Sequence, residues 1–177
     1  MKVVTILGSA SSYSNTRKAL QIVEAKLLEL EAEVTLLDPV ELDLSFPAVA
    51  DTEDTKKITE IVKEADAIIL ATPEYHGSYS SVIKLIIDNL GYPSALCGKA
   101  IGIVGVAASP FGALKAIEHL NSITTHLGCH TLPKVVNVAS CYQIFDKTGV
   151  LTDEKVKERL ETLASDLLSY AKKFPAH

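Results

Sequence analysis

The chain of 177 residues has no tryptophan, three cysteines and no long run of hydrophobic or like-charged residues. A net charge of −5 without a basic run argues against nucleic acid as a partner. No apolar run approaches the roughly 20 residues of a bilayer-spanning helix, and no secretory leader pattern follows Met1. We therefore expect a cytoplasmic protein without a membrane partner.

The cysteines give the same indication about the compartment. Cys97, Cys129 and Cys141 are odd in number, widely spaced and without a C-x-x-C pair. This pattern favours buried thiols in a reducing compartment over disulfides or a zinc site. The length and the share of hydrophobic residues, 47%, suit one globular domain over residues 1–177.

Short apolar runs alternate with segments of helical periodicity along the whole chain. This alternation predicts a doubly wound, five-stranded parallel α/β sheet of order 2-1-3-4-5 with helices on both faces. The predicted strands are 2–7, 34–37, 67–71, 100–106 and 135–138, and the predicted helices are 15–30, 55–64, 80–90, 113–127 and 152–172. A ligand of such a sheet lies where strands one and three diverge, at loops 8–16 and 72–80 with 107–112 beside them.

The first of these loops is rich in neutral hydrogen-bond donors. Its hydroxyl and amide residues precede a predicted helix N-terminus, an arrangement that suits a phosphate group. The loop matches neither G-x-G-x-x-G nor a Walker loop, so an ordinary capped loop is the alternative. The candidate phosphate ligands are Ser9, Ser11, Ser14, Asn15 and Thr16.

The second loop contains Pro73, Glu74, Tyr75, His76 and Gly77 in succession. The proline stiffens the chain, and the glycine lets a flat ligand approach the backbone, whose N–H groups could bind a polar ring edge. The third loop, 107–112, carries small residues that could face such a ring. Together the loops predict a site for a planar ring system with a phosphate tail.

Other chemistries fit less well. Glu74 and His76 could form an acid/base pair, but no nucleophile lies at a diagnostic spacing. His119, His126 and His130 lack a metal-binding pattern, and isolated cysteines are more often small buried hydrophobes than redox centres. We therefore predict neither a catalytic side chain nor a metal site.

The sequence resembles the NADPH-dependent FMN reductase family of flavodoxin-like proteins, which includes azoreductases and quinone reductases. The resemblance rests on Gly8-Ser9 with residues 14–16, on residues 72–76, and on Ser80 followed by Lys84 and Asp88. It implies an FMN-dependent NAD(P)H oxidoreductase that passes electrons to a second, small-molecule acceptor such as free flavin, a quinone or an azo compound. Loops 39–52 and 139–151 would shape the acceptor site.

The resemblance also implies where FMN binds. Its phosphate would lie on residues 9–16, its ring edge on residues 73–77, and Ser109 would lie near the pyrimidine side of the ring. The resemblance further implies a homodimer or homotetramer.

One position departs from the family pattern. Many members carry an arginine three residues after the loop glycine, and this chain has Ser11 there. Arg17 is a candidate replacement, and Lys84 and Asp88 have a simpler interpretation as an ion pair within a helix. A flavodoxin-type electron carrier and a flavin-free phosphate-binding domain stay open as alternatives.

Overall fold

The computed structural model describes residues 1–47, 49 and 51–174. Its strands are β1 (Lys2–Leu7), β2 (Glu33–Leu37), β3 (Ala67–Tyr75), β4 (Ser78–Tyr79), β5 (Ala100–Val106), β6 (His130–Thr131) and β7 (Val136–Val138). Its α-helices are α1 (Asn15–Glu29), α2 (Glu53–Glu64), α3 (Ser81–Asp88), α4 (Leu114–His126), α5 (Cys141–Ile144) and α6 (Glu154–Ala171). The predicted parallel α/β architecture is confirmed, and the predicted strand count is wrong.

Seven strands, rather than five, occur in the described part of the chain. The order is β2-β1-β3-β5-β6, while β7 also pairs with β5 and β4 pairs with β3. Because β3 runs along the whole of one edge of β5, β6 and β7 share its other edge. The predicted fifth strand, 135–138, is β7, and β6 is an additional short strand that precedes it on the same edge. Residues 132–135 separate the two, and Pro133 among them cannot donate to a ladder.

The second predicted loop is wrong in its secondary structure. Strand β3 continues to Tyr75 because Thr72 and Pro73 still lie beside β5. The chain then turns back at His76 and Gly77, whose φ angles of 50° and 75° are both left-handed, into antiparallel β4. A two-residue turn with both φ values positive matches the right-handed twist of the strands that it joins.

The sheet is covered on both faces. One layer packs α1 and α6 against alternate strand residues such as Val3 and Ile69. The opposite layer packs α2, α3 and α4 against the residues in between, such as Val4 and Ile68. This alternation follows from the two-residue period of a strand, and it leaves the carboxyl ends of the strands free for a site.

A buried serine joins the first two loops of the site. Ser80 Oγ accepts a hydrogen bond from Ile83 N–H at 3.2 Å, which caps α3, and donates to the Gly8 carbonyl at 2.5 Å. A Cβ on Gly8 would lie 2.8 Å from the Ala71 carbonyl oxygen. Glycine is therefore required here by close packing between the end of β1 and β3.

The cysteines are only partly as expected. Cys141 is buried, but Cys97 is exposed, which contradicts the expectation of buried thiols throughout. Burial, with a smaller contribution from neighbouring Cys97, raises the pKa of Cys129 to about 12. In the described ranges, no helix is both long and apolar enough to cross a bilayer.

Candidate functional site

A cavity of about 280 Å³ lies at the carboxyl ends of β1, β3 and β5. Its lining comes from all three predicted loops and from the start of α5. The lining residues are Ser9, Ser11, Tyr13, Ser14, Asn15, Thr16, Pro73, Glu74, Tyr75, Val106, Ala107, Ala108, Cys141 and Tyr142. The structure therefore brings together all of the candidate phosphate ligands and the first three residues of the candidate ring-binding segment.

The remaining candidates lie outside this lining. His76 and Gly77 form the tip of the β3–β4 hairpin. Ser109 Oγ accepts a hydrogen bond from Phe111 N–H at 3.1 Å, and its carbonyl accepts from Gly112 and Ser140. Ser109 therefore organises the third loop through these hydrogen bonds and is not itself in the cavity lining.

The first turn of α1 faces the cavity with unused hydrogen-bond donors. Ser14 caps the helix: its Oγ accepts from Arg17 N–H at 3.0 Å, and its carbonyl accepts from Lys18 N–H. This leaves the N–H groups of Asn15 and Thr16, as the first two of the helix, without an acceptor in the described chain. A free helix N-terminus favours an anion.

The hydroxyls of two nearly buried residues reinforce this preference. Ser9 and Thr16 are each 3% exposed, and both line the cavity. Within the described residues, neither hydroxyl makes a hydrogen bond. Every fully buried side-chain oxygen and nitrogen among the described residues has a partner, so these two hydroxyls are open to the cavity, where they can bond to a polar ligand. The donor set is neutral, so the negative charge would come from that ligand.

Arg17 does not supply a cation to this loop. Its Nη1 and Nη2 donate to the two carboxylate oxygens of Asp38 at 2.6 and 2.9 Å. These bonds to Arg17 hold the pKa of Asp38 below its ordinary value, against the opposing effect of burial. Arg17 is therefore paired with Asp38. It does not replace the arginine that many family members carry at the position of Ser11.

The Glu74 carboxylate is hydrogen-bonded to the backbone of α4. Its Oε2 accepts a hydrogen bond from Ala116 N–H, in the first turn of α4, at 3.1 Å. Ala113, at the start of α4, offers no side-chain cap of its own. This contact argues against Glu74 as one half of an acid/base pair with His76.

Asn137 on β7 fixes the third loop. Its Oδ1 accepts from Ala113 N–H at 2.7 Å, and its Nδ2 donates to the Phe111 carbonyl at 2.9 Å. A Cβ on Gly112 would lie 2.0 Å from that Oδ1, so only glycine leaves room for the asparagine. The loop that forms one cavity wall is thus held from the neighbouring strand.

Cys141 and Tyr142 lie in segment 139–151, which is expected to shape the acceptor site, but sequence reasoning does not name them individually. They reach the cavity because Cys141 N–H donates to the Ala107 carbonyl at 3.1 Å, next to the end of β5. Tyr142 and Tyr13 are 79% and 88% exposed at the cavity. No short motif marks them, since the contact joins segments more than thirty residues apart.

The other candidates have structural contacts. Lys84 Nζ lies 2.6 Å from both carboxylate oxygens of Asp88, so this pair is the predicted ion pair within a helix. His119 Nδ1 lies 2.9 Å from Ser78 Oγ and supports the hairpin. Among the described residues, no group of three or more metal-binding side chains is placed to hold an ion.

The fold and the cavity together define an α/β protein that is suited to a phosphate-bearing ligand at the switch point of a parallel sheet. A family model described as NADPH-dependent FMN reductase matches residues 1–143. An NAD(P)H-dependent FMN reductase of Pseudomonas aeruginosa is 32% identical over 171 residues, which cover 91% of this chain and 90% of that protein.

Two further proteins are similar over nearly the whole chain. An NAD(P)H:quinone oxidoreductase of Solanum tuberosum is 27% identical over 187 residues, covering 98% of this chain and 94% of that protein. The structure of the flavoenzyme NAD(P)H:(acceptor) oxidoreductase FerB of Paracoccus denitrificans superimposes with a TM-score of 0.81, at 23% identity and 98% coverage of both chains. This superposition confirms the flavodoxin-like fold.

The chain belongs to the NADPH-dependent FMN reductase family. It is an enzyme, a flavin-dependent oxidoreductase that uses FMN and NADPH or NADH, as the resemblance implied.

Proposed function

We propose that the cavity at the ends of β1, β3 and β5 is the FMN site of this oxidoreductase. The phosphate is bound by Ser9, Ser11, Ser14, Asn15 and Thr16, which all line the cavity. The ring edge is bound by residues 73–77, and Ser109 lies near the pyrimidine side. The main support is the pair of unpartnered hydroxyls on Ser9 and Thr16, which are open to the cavity at the free N-terminus of α1. Their chemistry fits a phosphate monoester.

FMN supplies the hydride and electron chemistry when it is bound. The chain's own residues bind and orient it. Pro73, Tyr75 and the small residues Ala107 and Ala108 line the cavity and would contact the flat ring. Backbone N–H groups near residues 75–77 would bind the polar ring edge. No side chain is needed as an acid or a base in this proposal.

The acceptor is a small molecule that takes the place of the nicotinamide after it has left. Exposed Tyr13 and Tyr142 beside the cavity favour a planar acceptor, such as free flavin, a quinone or an azo compound. Among the described lining residues there is no lysine, arginine or histidine, which also favours acceptors without a negative charge. Competition between acceptors of one skeleton, with and without a sulfonate, tests this preference.

The setting of the enzyme is also part of the proposal. We place it in the cytoplasm on its odd, widely spaced cysteines. We expect the whole chain to act as one domain and to assemble as a homodimer or homotetramer, with the partner subunit helping to enclose the flavin. Light scattering after gel filtration, with and without FMN, measures this assembly.

The first experiment is a visible spectrum of the purified protein with and without FMN, followed by anaerobic NADPH and NADH. We expect flavin bands that bleach on addition of a nicotinamide. Comparison of NADPH with NADH as the donor shows whether the preference for NADPH is lost when serine replaces arginine at position 11. Bound flavin that no nicotinamide reduces would indicate a flavodoxin-type carrier. Protein that binds no FMN would indicate a flavin-free phosphate-binding domain and would overturn the proposal.

A further inference from the structure

Glu74 is the one charged side chain among the described residues that line the cavity. The other lining groups are hydroxyl, amide, thiol, aromatic or aliphatic. Lys18 lies outside this lining, and its Nζ donates to Asn15 Oδ1 at 3.0 Å. A negative charge in an otherwise neutral wall acts strongly on a ligand because few mobile charges screen it there.

The position of this charge is fixed. The hydrogen bond from Ala116 N–H at 3.1 Å holds the carboxylate at the first turn of α4. The 13-residue helix begins without a cap from its own Ala113, so Glu74 compensates the positive end of its dipole from another strand. Replacing the carboxylate by a neutral group would remove a negative charge and also leave the helix terminus uncompensated.

We propose that Glu74 lowers the reduction potential of the bound FMN. This inference rests on the proposed function, which places FMN in this cavity. Transfer of a hydride from NAD(P)H to FMN gives NAD(P)⁺ and a reduced ring with one additional negative charge. A carboxylate in the wall disfavours that charge, so the flavin becomes a stronger reductant toward the second acceptor.

The decisive variant is Glu74→Gln, since its amide oxygen still accepts from Ala116 N–H while the charge is gone. We expect its potential, measured by equilibration with a reference dye, to become less negative. A tenfold change in the oxidised-to-reduced equilibrium corresponds to about 30 mV for a two-electron couple. The dissociation constant of reduced FMN should fall by the same factor, while that of oxidised FMN changes little.

A matched control lies on α4, the helix whose first turn bonds to Glu74. Glu118 is exposed and pairs with Lys115 at 3.2 Å, so Glu118→Gln removes the same charge away from the cavity and should leave the potential unchanged. Tyr142→Glu adds a negative charge at the exposed edge of the cavity. This variant should make the reduction potential of the wild-type protein more negative. In the Glu74→Gln background it should bring the potential back toward the wild-type value.

Three outcomes would overturn the inference while FMN still binds: an unchanged potential in Glu74→Gln, an equal shift in Glu118→Gln, or no shift in Tyr142→Glu. If Glu74→Gln does not fold, the potential of Tyr142→Glu tests the inference in its place. Failure of the wild-type protein to bind FMN contradicts the proposed function instead, so the two failures are distinguishable.

Discussion

Arg17 and Asp38 form a two-pronged ion pair between the first turn of α1 and the end of β2, with N–O distances of 2.6 and 2.9 Å. Asp38 also accepts from Val40 N–H at 3.2 Å, and most of its surface is buried. The pair fixes the phosphate-facing end of α1 against the sheet. An arginine near a phosphate loop thus acts on the protein rather than on the ligand.

The Asp38→Asn variant tests this role. We expect it to lower the free energy of unfolding at pH 7 by about 2 kcal/mol, because Asn keeps the Val40 contact but loses the charged bonds to Arg17. The pKa of Asp38 is below its ordinary value of 3.8 in the folded state, so its stabilising effect is present above that value and is lost as pH falls through the lower folded one.

Urea unfolding at pH 7 and at pH 3 measures both effects. The difference between wild type and Asp38→Asn should narrow at the lower pH. Glu64→Gln, which breaks the exposed pair with Lys2, should leave stability unchanged within error. A difference that stays the same at both pH values would contradict the assignment of the pKa shift to the Arg17 contact.

Much of the site could be predicted from sequence because it depends on local signals. A buried strand followed by hydroxyl residues and a helix start identifies residues 9–16 without knowledge of the fold. The order of strands then places 72–80 and 107–112 beside them. Parts of all three segments line the cavity, together with Cys141 and Tyr142.

Contacts between distant segments could not be predicted. The hairpin depends on a left-handed His76, a residue type less typical of such turns than Asn or Gly. Cys141 joins the cavity through its bond to Ala107, and Glu74, the one charged residue of the described lining, also accepts a hydrogen bond from the first turn of α4. Each of these follows from packing of the folded chain and has no short pattern in the sequence.

Ser9→Ala and Thr16→Val should each weaken FMN binding about tenfold, since each removes one hydrogen bond to a charged phosphate. Both hydroxyls are free in the described structure, so stability should change little. Quenching of FMN fluorescence measures the dissociation constants. Riboflavin, which lacks the phosphate, should bind equally to wild type and variants.

Ser12→Ala is the matched control for these hydroxyls. Ser12 lies in the same loop but is exposed and outside the cavity lining, so FMN binding should be unchanged. An equal loss of affinity in Ser12→Ala, or an equal loss for riboflavin in the other two, would contradict the assignment of residues 9–16 to the phosphate.

Gly112→Ala should both destabilise the protein and weaken FMN binding. The added Cβ would lie 2.0 Å from Asn137 Oδ1, in addition to the cost of a φ of 72°. Gly98→Ala is the control: its φ is 74°, and a Cβ there meets no atom within 4 Å. We expect about 1 kcal/mol from backbone strain alone in Gly98→Ala and clearly more in Gly112→Ala.

Urea unfolding and FMN titration of both variants separate strain from collision. In an Asn137→Ala background, which already lacks both hydrogen bonds to the third loop, Gly112→Ala should cost less stability than in the wild type, because the colliding amide is absent. Equal losses in the two single variants would show that Asn137 does not hold the third loop as its two hydrogen bonds indicate.

Cys97 should react with a thiol reagent much faster than Cys129. Cys97 is exposed, whereas burial raises the pKa of Cys129 to about 12, so almost none of it is thiolate at pH 8. Titration with a disulfide reagent at pH 8 should give one fast thiol, which Cys97→Ser abolishes. A fast reaction that persists in Cys97→Ser and disappears in Cys129→Ser would contradict this order.

His76→Ala should weaken FMN binding several-fold while turnover with saturating FMN is largely kept. The exposed imidazole makes no hydrogen bond within the described residues, and the proposed contact with the ring edge comes from the backbone of the turn. Part of the effect would come from the left-handed φ of 50°, which alanine tolerates poorly.

His76→Asn separates the two causes, since asparagine suits this conformation and lacks the imidazole. Its FMN affinity should exceed that of His76→Ala. Saturating FMN with a complete loss of turnover in both variants would instead assign His76 a direct part in the reaction, and the proposal that no side chain acts as acid or base would be wrong.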